Sequence, residues 1–246
     1  MQELLKPIRA DSLKDVFVIR FEELILSGKL SIGEKLPSER ELALQLSVSR
    51  PVVHEGLVNL ASKGLITLKP RVGAIVNDYR RSGSPDILNS LFNYNQGKLD
   101  PGILGSILSM RILFEVETAR LAAQHRTEDH IREFKGLIVR EAQIEDTDVD
   151  ALVEVDFEFH HLITLATDNQ LYPLLMNSMK SIYTNLTRQF FKDPSVVPRV
   201  FGFHRKMVDA LQAGDARSAV NVMKKILKHG EKQFILMING RNRRTP

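Results

Sequence analysis

The chain has no cysteine among its 246 residues. Disulfide bonds and thiol catalysis are therefore excluded, which suits a reducing cytoplasm. Long hydrophobic runs are absent too. The opening stretch MQELLKPIRADSLKDVF carries charges throughout, so neither a secretory signal nor a membrane span is expected. There is no internal repeat, no low-complexity segment, no phosphate loop and no constellation of nucleophile and base. Hydrophobic residues make up 43% of the chain, enough for real cores, and the length accommodates two domains.

The net charge of +4 is unevenly spread. Residues 1–81 hold 13 Lys or Arg against 10 Asp or Glu, residues 82–216 hold 13 against 19, and residues 217–246 hold 8 against 1. The acidic middle is a poor surface for nucleic acid. The tail, with Lys224, Lys225, Lys228, Lys232, Arg241, Arg243 and Arg244, reads as a solvated helix face or a phosphate contact.

The stretch from Leu36 to Val76 has the pattern of a winged helix-turn-helix. Ser38 and Glu41 form a capping box, so a short helix begins near Pro37 to Ser38 and runs through Leu42, Ala43 and Leu46 to a stop at Ser47 and Val48. Ser49 is placed to cap a second helix, with Pro51 in its first turn, where the missing N–H is not needed. Val53, Leu57, Leu60 and Ala61 share one face and must look inward, which turns Arg50 and His54 outward. Gly64 ends that helix. LITL and AIV then make a hairpin whose tip carries Lys69 and Arg71. Exposed arginine at the start of the second helix, a basic wing and Arg40 in the first helix form a DNA-reading set, the plain alternative being ordinary surface charge. Asp11 to Gly28 reads as a leading helix in which Val16, Ile19, Glu23 and Leu24 alternate between core and surface.

PSERELA, SVSR and GLI before a hairpin ending PRVGAIV resemble the DNA-binding domain of the GntR family of bacterial transcription regulators. The resemblance places Glu39, Arg40, Ser49 and Arg50 at the family's DNA-contacting positions. His54 stands where the family usually has arginine, and Gly56 where it usually has alanine, at a modest cost in helix propensity.

Gly, Ser, Pro and paired Arg in NDYRRSGSP, Asn77 to Pro85, mark a domain boundary, giving a DNA-binding domain over 1–79 and an effector-binding and dimerisation domain over 80–246. Helical periodicity then covers 86–96, 103–124, 128–144, 149–167, 172–191, 200–213 and 216–237, with no strand pattern. The fold class is mainly α: a winged helix-turn-helix followed by a bundle of six or seven helices. Gly214 and Asp215 make the last connection a tight helical hairpin.

ILSMRILFEVETARLAA, DFEFHHLITLATDNQLYPLLMNSM and FHRKMVDALQAGDARSAVNVM resemble the effector domain of the FadR subfamily of these regulators. One branch of that subfamily holds a metal through an Asp and three His and recognises small carboxylates; the other lacks the metal and binds acyl-CoA. Asp156 and His160, four apart, lie on one helix face, a spacing suited to two ligands of one ion. By the resemblance His204 is the third ligand and Arg111 points into the effector cavity. About the Gly214 turn, position 226 comes opposite His204, but residue 226 is Ile; His229 serves only if the site shifts. The metal in question is Zn²⁺ or Ni²⁺. The alternatives are buried, hydrogen-bonded histidines with Asp156 paired to a cation, and an Arg111–Glu115 ion pair at i, i+4. Tyr172, Tyr183, Phe190, Phe191 and Phe234 either line a long apolar tunnel for an acyl chain or are simply core.

The reading is a homodimeric regulator, a repressor of metabolic genes, that binds a palindromic double-stranded DNA operator and answers to an anionic metabolite. Its rivals are a metal-dependent enzyme using Asp156, His160 and His204, and a structural nucleoid protein, against which the acidic second domain argues.

Overall fold

The computed structural model describes residues 12–94 and 101–242. The chain folds as two compact units that divide between Lys98 and Leu99. The first contains α1 (Leu13–Leu26), α2 (Glu39–Leu46), α3 (Arg50–Ser62), the strands β1 (Ile66–Lys69) and β2 (Gly73–Val76), α4 (Tyr79–Ser82) and α5 (Ile87–Tyr94).

The four residues expected to alternate between core and surface on α1 supply none of its buried positions. Val16 and Ile19 are each 48% exposed, while Phe17, Val18, Phe21 and Ile25 are buried. Phe17 and Phe21 stack with centroids 4.4 Å apart. This aromatic pair takes the core because α3 makes room for it: a Cβ on Gly56 would come 2.3 Å from Phe17 Cδ1. On the opposite wall of the same core Val53, Leu57 and Leu60 face inward as their spacing requires, with Ala61 partly buried against them. β1 and β2 pair antiparallel with Ile66 opposite Val76 and Lys69 opposite Gly73. Their turn closes through Val72 N–H to the Lys69 carbonyl at 3.1 Å, with Arg71 in the left-handed region at φ 64°.

The expected boundary stretch lies inside this first unit. Gly64, at φ +75°, lets the chain after the wing return across the end of α3; a Cβ there would collide with the Ser82 carbonyl at 1.9 Å. Asn77 Nδ2 and Ser82 Oγ both donate to the Gly64 carbonyl, at 3.1 and 3.0 Å, and Ser84 N–H donates to Lys63 at 3.1 Å. These bonds make Asn77 to Pro85 a tight return rather than a linker. The next helix, α5, packs on α1: Ile87 enters the core, and Ser90 Oγ donates to the buried Glu22 carboxylate at 2.8 Å, which also pairs with Lys63 Nζ at 2.5 Å. Residues 95 and 96 of that predicted helix lie outside the described residues.

The described residues of the second unit form seven α-helices and one 3₁₀ turn, Pro194–Val196, with no strand: α6 (Pro101–His125), α7 (Glu128–Glu141), α8 (Val149–Leu165), α9 (Leu171–Ser178), α10 (Lys180–Phe190), α11 (Val197–Ala213) and α12 (Ala216–Asn242). α8 is central, packed by α6, α7, α9 and α10, and accordingly buries polar positions such as Asp156 and His160 along with its apolar ones. The single helix expected over 172–191 is two, parted at Met179, whose φ of −100° and ψ of 2° leave the helical region. Asn169 Oδ1 accepts from Leu171 N–H at 2.9 Å and starts α9 one residue early. α11 starts at Val197, ahead of the predicted Val200, because Pro198 fits a first helical turn.

The closing hairpin is as expected. Gly214 adopts φ 68°, Asp215 accepts from Ser218 N–H at 2.9 Å, and the Arg126 guanidinium donates to the Leu211 carbonyl at 2.7 Å, satisfying an end carbonyl of α11. Lys224, Lys225, Lys228 and Lys232 are exposed on α12, whereas the side chain of Arg241 and all of Arg243 and Arg244 lie outside the description. No described helix is long and apolar enough to cross a membrane.

Candidate functional site

The first unit aims one face outward. Ser38 accepts from Glu41 N–H at 3.3 Å and Glu41 Oε2 accepts from Ser38 N–H at 2.8 Å, the reciprocal pair that starts α2. α2 stops at Ser47, φ 55°, and the chain turns directly into α3. Arg40, Ser49, Arg50, His54, Lys69 and Arg71 are all exposed. Ser49 occupies the cap position of α3, but its side chain makes no capping bond, contrary to the expectation, because Pro51 already removes one N–H from that first turn. Arg40, Arg50, Lys69 and Arg71 enter no ion pair among the described residues. His54 differs: its Nδ1 lies 2.8 Å from Glu39 Oε1.

In the second unit Asp156, His160 and His204 are buried and offer one ligand atom each within 4.8 Å of one another. α8 supplies the first two from one face and α11 the third. Each histidine turns Nδ1 to a buried glutamate: His160 to Glu115 Oε2 at 2.5 Å, His204 to Glu141 Oε1 at 2.5 Å. His204 Nε2 has no hydrogen-bond partner and stands 3.7 Å from Asp156 Oδ1. Among the described residues no Lys or Arg forms an ion pair with the aspartate; the Tyr183 hydroxyl donates to its Oδ2 at 2.8 Å. Glu141 was not legible in the sequence, since it lies on α7, far along the chain from His204.

Arg111 realises both alternatives at once. Its Nε is 2.5 Å from Glu115 Oε1, and it also lines a cavity of about 40 Å³ together with Asp156, His160, Tyr183, Ile226 and His229. Burial works against the guanidinium's charge, yet Glu115 and Tyr183 outweigh it and hold its pKa above the usual arginine value. Burial likewise opposes ionisation of Glu115, but Arg111 and His160 pull its pKa down to about 2. The Tyr183 hydroxyl is pushed well above its ordinary value by burial and by Asp156. The carboxylates of Glu115, Asp156 and Glu141 are buried within this one region, each held by a hydrogen bond from Arg111, Tyr183 or His204.

Ile226 lines the cavity, as the hairpin register requires. So does His229, with Nε2 unpartnered and its pKa lowered by burial, but it lies outside the three-residue cluster. The five aromatic residues do not form one tunnel. Tyr183, Phe190 and Phe234 line the cavity, Phe191 is core, and Tyr172 sits at a separate surface groove against Phe114, because the break at Met179 turns α9 away from α10.

Residues 18–76, the helix-turn-helix with its wing, match the bacterial regulatory proteins of the gntR family, and residues 106–229, half of the chain, match the FCD domain. The chain belongs to the GntR family of bacterial regulatory proteins. A member carrying the FCD effector-binding domain is a ligand-responsive, DNA-binding transcription regulator and not an enzyme, which removes the metal-enzyme rival. Among relatives, the HTH-type transcriptional regulator Mce2R of Mycobacterium tuberculosis is 29% identical over 91% of this chain and 92% of its own. A fatty acid metabolism regulator protein of Klebsiella pneumoniae is 28% identical over 78% of each. The fold recurs in Lar of Listeria monocytogenes, with TM-score 0.63 and 15% identity over 92% of this chain and 98% of that one, and in E. coli McbR/YncC, with TM-score 0.52 and 17% identity over 95% and 100%.

Proposed function

We propose that this GntR-family protein is a cytoplasmic, homodimeric repressor whose hold on a palindromic operator is set by a small carboxylate bound beside a divalent metal. DNA is contacted by Arg40, Ser49, Arg50, His54, Lys69 and Arg71, with the free Ser49 hydroxyl and the unpaired cations on phosphates and base edges. The first unit is the DNA-binding part, and the second binds effector and dimerises.

The observation that carries the sensor reading is the buried cluster of Asp156, His160 and His204, whose ligand atoms lie within 4.8 Å of one another. Asp156, His160 and His204 fit a Zn²⁺ or Ni²⁺ ion: Glu141 bonds His204 Nδ1, the outer-shell arrangement that directs Nε2 to a metal, His204 Nε2 is an orphan, and His160 Nδ1, 2.5 Å from Glu115 Oε2, makes no hydrogen bond. When bound, the ion supplies a positive centre to which a carboxylate can coordinate, while Arg111 is the guanidinium nearest the cavity space. A volume of about 40 Å³ suits a small ligand. A long acyl chain, suggested by the Klebsiella relative's name, has the wall of Phe190, Phe203 and Phe234 in its favour but needs the cavity to enlarge.

The proposed dimer face is on α6 and α9. Leu113 is 78% exposed, Leu171 65% and Leu174 63%, beside a groove of about 810 Å³ lined by Met110, Phe114, Leu175 and Met179. Ridge and groove on one face suit a two-fold axis that seats each copy's Leu113 in the other's groove.

Elemental analysis of the purified protein, with operator gel shifts before and after chelation, tests the sensor. The reading expects about one metal per chain and an effector response lost on chelation. A metal-free protein whose operator binding responds to acyl-CoA would replace it.

A further inference from the structure

His54 is exposed on the outward face of α3, one turn beyond Arg50, and the pair it makes with Glu39 fixes what it can read. Its Nδ1 lies 2.8 Å from Glu39 Oε1, the glutamate being the first residue of α2. An ionised carboxylate accepts and cannot donate, so in the neutral ring the proton sits on Nδ1 and Nε2 is a bare acceptor. The side chains are 60% and 35% exposed. The atoms left to meet a ligand, Nε2 of His54 and Oε2 of Glu39, are therefore both acceptors. They open on a cleft of about 310 Å³ between the start of α2, α3 and the wing, whose cation is Lys69.

A phosphate oxygen cannot satisfy two acceptors, and the carboxylate repels it, so this pair does not serve the DNA backbone. Lys69 is left for that. In the major groove the donors are the exocyclic amino groups of adenine and cytosine, while guanine and thymine present acceptors at their own edges. Arginine in the same place donates twice and selects guanine O6 and N7.

We propose that His54, its tautomer fixed by Glu39, is a specificity-determining residue that accepts a hydrogen bond from the amino group of adenine or cytosine at one position of each operator half-site. This rests on the DNA-reading function proposed above for the first unit.

The test is selection from duplexes with a randomised central segment, using the full-length protein. Four proteins are compared: wild type, His54→Ala, His54→Arg and Glu39→Ala. Wild type should select one base pair, with its amino group on the strand that His54 faces, at one position per half-site, and His54→Ala should cut discrimination there by about tenfold and leave the other positions alone. His54→Arg should move the preference to guanine. Glu39→Ala, which frees the tautomer, should blur the same position. A His54→Ala profile equal to wild type, or a Glu39→Ala profile as sharp as wild type at the position that His54→Ala flattens, would overturn the proposal while leaving DNA reading intact. A wild type that selects no sequence would remove the proposed function along with it.

Discussion

A glycine in the middle of the recognition helix looks like a defect by propensity alone. In the folded unit it is a cavity for an aromatic ring, since a methyl at Gly56 would come 2.3 Å from Phe17 Cδ1 and 2.8 Å from Cε1. Gly56→Ala restores the residue usual in the family and adds helix propensity, yet should destabilise the protein by about 1–3 kcal/mol, because the Phe17–Phe21 stack must shift within a packed core. Urea denaturation measures this. A midpoint unchanged or raised would show that α1 repacks freely. The exposed cations follow the opposite rule, touching nothing that holds the fold. Arg50→Ala and Arg71→Ala should each cost about 1–3 kcal/mol of specific operator binding without changing the melting temperature. Gel shifts at fixed salt read the outcome; undiminished affinity would remove both residues from the DNA face.

Local signals at this scale were legible in the sequence: the Ser38–Glu41 capping box and Gly214 with Asp215 act within four residues of themselves. Partners distant along the chain were not. Glu141 meets His204 across α7 and α11, and no local pattern announces it. The inward face of α1 was not legible for a related reason, since placing Phe17 and Phe21 inward requires knowing that α3 offers a gap at Gly56.

Among the elements, helices whose ends carry caps or glycine came out close to their predicted bounds, while those parted by backbone geometry alone did not. Nothing in the side chains around Met179 breaks periodicity, so α9 and α10 read as one helix. Gly, Ser and Pro before α5 read as a linker because such residues serve tight returns equally well, and only the bonds to Lys63 and Gly64 decide. The α11–α12 hairpin, by contrast, fixes its register through Gly214, and with it the cavity position of Ile226. Ile226→His should therefore add a fourth ligand to Asp156, His160 and His204 and raise Zn²⁺ affinity by at least about tenfold, ligand number dominating affinity for a closed site. Calorimetry on both proteins measures the gain. No gain, together with a metal-free wild type, would refute the metal reading and leave the apolar wall of Phe190 and Phe234 as the feature to explain.

For the whole molecule the deciding quantity is how many winged helices reach DNA together. One such module reads a few base pairs, and its affinity, largely electrostatic, falls steeply with salt. Two modules held by one interface add their contacts without a second loss of translational freedom. The leucines of α6 and α9 suit such an interface, and their exposure in the single chain means that replacing them leaves the core untouched. The double variant Leu113→Glu with Leu174→Glu brings four carboxylates onto an apolar surface when two copies meet, where burying each unpaired charge costs several kcal/mol. Sedimentation velocity should show a dimer for wild type and a monomer for the variant, with circular dichroism and melting of the variant close to wild type. Operator affinity should then fall by at least about a hundredfold at physiological salt, as the second half-site is lost. A variant that still sediments as a dimer would move the interface to another face, and a monomer that binds the operator as tightly as wild type would show that one winged helix suffices for recognition.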